Sequence, residues 1–170
     1  MFWTEKVIYK MVTVDTQMAE IEKGEIDVLM HVAASPANFA IADKLSYVTP
    51  NAYTGNSYGY FGFNMRDGIL KDKKVRQALT YGFDREVFIE KYYAGRATVI
   101  NVPFSPVNYA YTDELKSKVN KYKYDKDKAI ALLEEAGWTV GSDGIREKDG
   151  EKLSIKWLTY TDSKYVETLI

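Results

Sequence analysis

The chain has 170 residues, a formal net charge of -1, 46% hydrophobic and 28% charged residues, one histidine and no cysteine. That is the composition of an ordinary globular protein, long enough for one domain with its own core. The missing cysteines exclude disulfides, thiolate metal sites and cysteine nucleophiles, a lone histidine excludes two-histidine metal sites, and the near-neutral charge supplies no drive toward nucleic acid or an anionic membrane.

Residues 7–14 are β-branched and aromatic enough to form a strand. Asp15 or Thr16 then caps a short helix through Lys23, and Gly24 supplies its left-handed stop. Residues 26–30 read as a short buried strand, and Ser35-Pro36 places a cap before proline at the first position of a helix reaching about Lys44. This alternation of strand and helix is an α/β pattern.

Residues 58–64 read as an aromatic strand that alternates two kinds of side chain. Tyr58, Tyr60, Gly62 and Asn64 share one face, with hydroxyls and a glycine that a ligand can approach; Phe61, Phe63 and Met65 share the other, expected to be core. Asp72 caps a helix whose Val75, Ala78 and Leu79 make an inward stripe, ending at Gly82. Asp84 caps the next, through about Tyr93, with Gly95 as its stop. Residues 98–120 hold Pro103 and Pro106 and read as an ordered surface loop. A long helix follows from Asp125 to Ala136, closed by Gly137. Residues 141–150 read as a pair of hairpin turns, residues 153–159 as a strand, and Thr161 or Asp162 as the start of a last helix.

Little in this order carries reaction chemistry. His31 follows an expected strand, where ligands often bind in α/β sheets, but a hydrogen-bonded loop histidine accounts for it as well. The stretch from Asp143-Gly144 to Asp149-Gly150 lacks the alternating ligands and distal glutamate of a calcium loop. Gly55, Gly59 and Gly62 are too loosely spaced for a phosphate cradle, and Lys71, Lys73 and Lys74 read as a solvated helix start. No pair of carboxylates stands out as acid and base, so no enzyme, cofactor or metal is expected.

Four blocks stand in a recognisable order: G-E-I-D-V from Gly24, the aromatic run from Tyr58 to Asn64, K-D-K-K-V-R-Q-A-L-T-Y-G-F-D-R from Lys71, and A-I-A-L-L-E-E-A-G-W from Ala129. Together they resemble family 5 extracellular solute-binding proteins, the receptors of peptide and related ABC importers. The resemblance implies an α/β fold, a mixed β-sheet flanked by helices, forming residues 1–170 into one lobe of a type II periplasmic-binding-protein-like parent. It implies the substrate-binding component of an ABC importer, with an oligopeptide or other small solute held by hinge closure between this lobe and a missing N-terminal lobe of the same chain, and an ABC permease as partner. It further implies an extracytoplasmic location, with the signal and a lipid anchor outside the segment, and no membrane insertion by the segment itself.

Carried over by motif, the ligand-facing positions are Tyr60, Gly62, Tyr93, Tyr160, Thr161 and Tyr165. Arg76 is expected to be structural, bonded to backbone or carboxylate groups. Some peptide-binding relatives carry glutamate where Gly62 stands, Gly68-Ile69-Leu70 replaces a proline and aromatic before the signature helix, and the segment that anchors a peptide amino group in several relatives would lie beyond Ile170. The rival reading of the residues is a self-standing α/β domain that binds a protein or peptide without a transporter.

Overall fold

The computed structural model describes residues 4–32, 35–66 and 68–159. Its elements, among these residues, are α1 (Gln17–Glu22), α2 (Pro36–Ala42), a 3-10 turn (Ile69–Lys71), α3 (Lys73–Gly82), α4 (Arg85–Tyr93), α5 (Asp113–Lys118), α6 (Lys126–Glu135), and the strands β1 (Thr139–Val140), β2 (Arg146–Lys148) and β3 (Glu151–Lys152).

The helices start where local capping chemistry starts them. Ser35 Oγ accepts from the Asn38 amide at 3.2 Å ahead of Pro36, Asp72 from Lys74 at 2.7 Å, and Asp125 from Lys128 at 2.9 Å. Each bond satisfies an amide that the helix itself leaves without an acceptor. α1 differs: Thr16 stands at its N-cap, but its hydroxyl turns back to Thr13 and leaves the helix amides alone. α5, capped by Thr112, interrupts the loop expected at residues 98–120. With only six residues, it has too few turns to show an apolar period.

α3 packs against α6, and this pair is the centre of the molecule. Val75 is fully buried against Ala136 and Trp138, with Ile69, Leu70, Leu79, Leu133 and Leu153 around them. Ala78 and Ala129 are also buried, and their small side chains let the helices approach closely. The Asp125 amide donates to Tyr81 O at 2.9 Å, locking the start of one helix to the end of the other.

Gly137, at φ 86°, turns the chain out of α6, so that the Trp138 amide returns to Leu133 O at 2.9 Å and the indole enters the core. The hairpin then folds back on the helix end. Lys148 Nζ donates to Ala136 O at 2.8 Å and Arg146 Nη1 to Trp138 O at 2.6 Å, placing two cations at the negative end of the helix dipole. β1, β2 and β3 pair antiparallel in that order, and Asp149-Gly150, both at positive φ, form the two-residue link between β2 and β3. The hairpin expectation for residues 141–150 holds.

Four expected strands are not found. Residues 7–14, 26–30, 58–64 and 153–159 pair in no ladder of the described residues. Val7, Ile8, Tyr9, Met11, Val28 and Met30 are exposed, so residues 26–30 are not the buried strand expected. A strand exists through its neighbour's N–H and C=O groups, and β-branched composition alone cannot supply them. The expected last helix, from Thr161 or Asp162, lies outside the described residues.

Trp138→Ala empties the centre of the α3–α6 interface and is expected to cost about 3–5 kcal/mol, whereas Asp125→Ala, which removes only a cap, is expected to cost about 1 kcal/mol. Urea unfolding of both variants beside the parent chain checks the ratio; equal losses would mean that the interface is not the stabilising centre.

Candidate functional site

The aromatic run lies along the surface as an extended segment held by side chains. At its start, buried Ser105 donates to Gly55 O at 2.6 Å, and Asn108 Nδ2 reaches Asn56 Oδ1 at 3.4 Å. In its middle, Phe61 meets Phe83 and Trp157 edge-on, with ring centroids 5.0 and 4.9 Å away. These contacts set which face turns outward. Tyr60 is 79% and Tyr58 45% exposed, their rings 6.1 Å apart, with Gly62 and Asn64 exposed beside them.

The core expected of Phe61, Phe63 and Met65 is not found: Phe61 is as exposed as Tyr58, and Met65 more so. Phe63 is half-buried, but Phe61 and Met65 keep 45% and 60% of their surface exposed, because no second layer among the described residues covers them. A Cβ built on Gly62 would lie 3.6 Å from the Tyr60 ring, an ordinary contact, so neither crowding nor φ demands glycine there. What glycine supplies is open access to the backbone between the tyrosines and Asn64.

Tyr93 sits apart, in an aromatic stack on α4. Its ring is edge-on to Tyr92 at 4.7 Å and to Phe88 at 6.2 Å, and it is half-buried. Phe88 also approaches Phe83 at 5.7 Å, so the stack continues through Phe83 to Phe61. Tyr93 thus belongs to the scaffold behind the aromatic run. Tyr160, Thr161 and Tyr165 lie outside the described residues.

Arg85 secures the loop that holds this scaffold. It opens α4, where Asp84 accepts from the Glu86 and Val87 amides at 3.1 and 3.0 Å. Its guanidinium donates to Ile100 O at 3.1 Å, Asn101 Oδ1 at 3.0 Å, Lys121 O at 2.6 Å and Tyr122 O at 2.9 Å. One cation thereby closes a loop of some twenty residues using neutral acceptors, a geometry that needs the planar fork of arginine. Burial draws its pKa below the ordinary value, and neighbouring Glu86 opposes that shift. Sequence reading found Arg85 only as part of a motif; its four acceptors come from distant residues.

Arg76 is structural, as expected: Nη1 donates to Leu70 O at 2.7 Å and Lys71 O at 2.8 Å, tying the 3-10 turn to α3. His31 is exposed, with backbone φ 61°, and has no hydrogen-bond partner among the described residues. No group of three or more His, Cys, Asp or Glu that could hold a metal occurs among the described residues, and no helix among them is long and apolar enough to cross a membrane. The chemistry available on the aromatic face is apolar contact, hydroxyl hydrogen bonding and open backbone.

Comparison with known proteins bears on the chain as a whole. The model for bacterial extracellular solute-binding proteins, family 5 middle region, matches residues 3–169. The oligopeptide-binding protein AppA of Bacillus subtilis is 32% identical over 169 residues, 98% of this chain. Its structure in complex with a nonapeptide superposes with TM-score 0.68 over 82% of this chain at 34% identity, covering 27% of that chain. Lactococcal OppA, closed on an endogenous peptide, gives TM-score 0.64 over 84% of this chain and 28% of its own at 27% identity. The chain spans 30% of the length of AppA.

Replacing Arg85 by lysine keeps the charge but loses the fork. The expected result is a loss of about 1–3 kcal/mol and faster proteolysis within residues 98–124. Cleavage at the parent rate would show that the loop does not depend on the guanidinium.

Proposed function

The chain belongs to the bacterial extracellular solute-binding proteins of family 5 and shares their type II periplasmic-binding-protein-like fold; on that premise we propose that it is one lobe of the substrate-binding component of an ABC importer for oligopeptides. The observation that carries the reading is the exposed Tyr58, Tyr60 and Gly62, offered by a segment with no strand neighbour among the described residues, in a chain that matches the family almost end to end. The nonapeptide complex of AppA and the endogenous peptide of lactococcal OppA support a peptide as the solute.

An extended peptide has its own unpaired N–H and C=O groups. The backbone of residues 58–64 offers matching groups, and the tyrosine rings offer contact that tolerates different side chains. Tyr60 and Gly62 are the contacts proposed from the described residues. Tyr160, Thr161 and Tyr165 are proposed from the resemblance alone. Tyr93, half-buried in the α4 stack, is proposed as a further contact.

The rest of the parent chain supplies the opposite wall. Ligand enters an open cleft, both walls contact it, and closure about a hinge is favoured by the ligand's greater affinity for the closed form. The permease then receives the closed complex. This places the protein outside the cytoplasm, held at the membrane by a lipid anchor elsewhere in the parent. Exposed residues 7–14 and 26–30 fit the same reading, because strands of the parent outside this segment would pair with them.

Calorimetry with a pool of short peptides tests the division of labour. The isolated chain is expected to bind no more tightly than about 10 µM, near -7 kcal/mol, since half the contacts must offset the whole ordering cost. The full-length parent is expected to bind more tightly, and Tyr60→Ala to weaken it. A parent that takes up no peptide would overturn the reading.

Gly62→Ala gives a finer test. The stability of the chain is expected to change by no more than about 0.5 kcal/mol, as at other open surface positions, while peptide binding by the parent falls. Unchanged binding would remove Gly62 from the contact face.

A further inference from the structure

A shallow groove of about 260 Å³ runs between the aromatic segment and α3, lined by Phe63, Lys73, Arg76, Gln77, Thr80 and Tyr122. It is approached from the side of Phe63, the face opposite Tyr60 and Gly62 in the alternation. Two cations line it and no carboxylate does. The nearby Asp72 is engaged by the Lys74 amide as the cap of α3.

The hydrogen-bond inventory is one-sided. Arg76 Nη1 is spent on Leu70 O and Lys71 O, which leaves Nε and Nη2, the edge that bonds a planar two-oxygen acceptor. Lys73 is exposed and has no ion-pair or hydrogen-bond partner among the described residues. Gln77 Nε2 donates one hydrogen to Tyr122 Oη at 3.2 Å, leaving its second hydrogen and the phenol hydrogen. Thr80 alone is satisfied as a donor, through Arg76 O at 2.8 Å.

Tyr122 stands at φ 39°, a left-handed conformation that costs a non-glycine residue energy and persists only where the surroundings impose it. Here Arg85 holds its carbonyl, the Asn120 side chain accepts from its amide at 3.2 Å, and its ring lies 5.0 Å from that of Tyr81. These contacts hold the phenol at the groove.

We infer that this groove is a binding site for an organic carboxylate with an apolar stem, the carboxylate meeting Lys73 and the free edge of Arg76 while the stem lies between Phe63 and Tyr122. The site is separate from the peptide face and does not depend on the importer reading. Charge selects an anion, the arginine edge favours a planar acceptor over a tetrahedral one, and the aromatic walls favour a ligand with an apolar body.

The test is a ¹⁵N amide titration of the 170-residue chain with phenylacetate, its neutral isostere phenylacetamide, and inorganic phosphate. Phenylacetate is expected to give saturable shifts at Gln77, Thr80 and Tyr122, and phenylacetamide none. Lys73→Ala, at an exposed position, is expected to weaken phenylacetate about fivefold or more, and Gln77→Leu to weaken it in a chain that keeps both cations. Tyr60→Ala is expected to leave it unchanged, which separates this site from the peptide face. Equal shifts with the amide, phosphate binding as tightly as phenylacetate, or indifference to Lys73→Ala would each overturn the assignment.

Discussion

The burial of Val75 and Trp138 between α3 and α6 is the constraint from which the rest of the described structure is hung. α3 and α6 are far apart in sequence, and their contact encloses everything between them in one closed circuit of chain. The 3-10 turn is drawn onto α3 by Arg76, and α6 is fixed at one end by Tyr81 O and at the other by the two cations of β2. The small residues Ala78 and Ala129 let these helices approach closely enough for dispersion and apolar burial to act together.

Within that circuit, order spreads from charged and aromatic side chains. Arg85 gathers four carbonyl oxygens and so gives shape to a proline-bearing loop with one short helix. The loop then sends Ser105 to the start of the aromatic run and Tyr122 to the groove beside α3. The aromatic segment and the groove beside α3 are thus placed by one guanidinium and one helix pair.

Exposed apolar surface is the other large feature. Residues 7–14 and 26–30 carry valine, isoleucine, methionine and tyrosine into solvent, while the surface salt bridges of Lys10 with Glu20 and Glu25 contribute little against that. Neither segment pairs in a ladder among the described residues.

The sequence by itself determined whatever depends on a few neighbouring residues. Asp72, Asp84 and Asp125 start their helices because a carboxylate two or three residues ahead of a free amide needs no other part of the protein. Gly137 and Asp149-Gly150 set their turns because positive φ is a property of the residue itself. The order of motifs identified the family. Tertiary structure decided whether an extended segment has a strand neighbour, whether Phe61 is covered, and where Tyr93 packs. It decided too which carbonyls Arg85 takes and that Tyr122 is bent onto α3. Each of these depends on groups brought together across tens of residues, and no local pattern records who the partner will be.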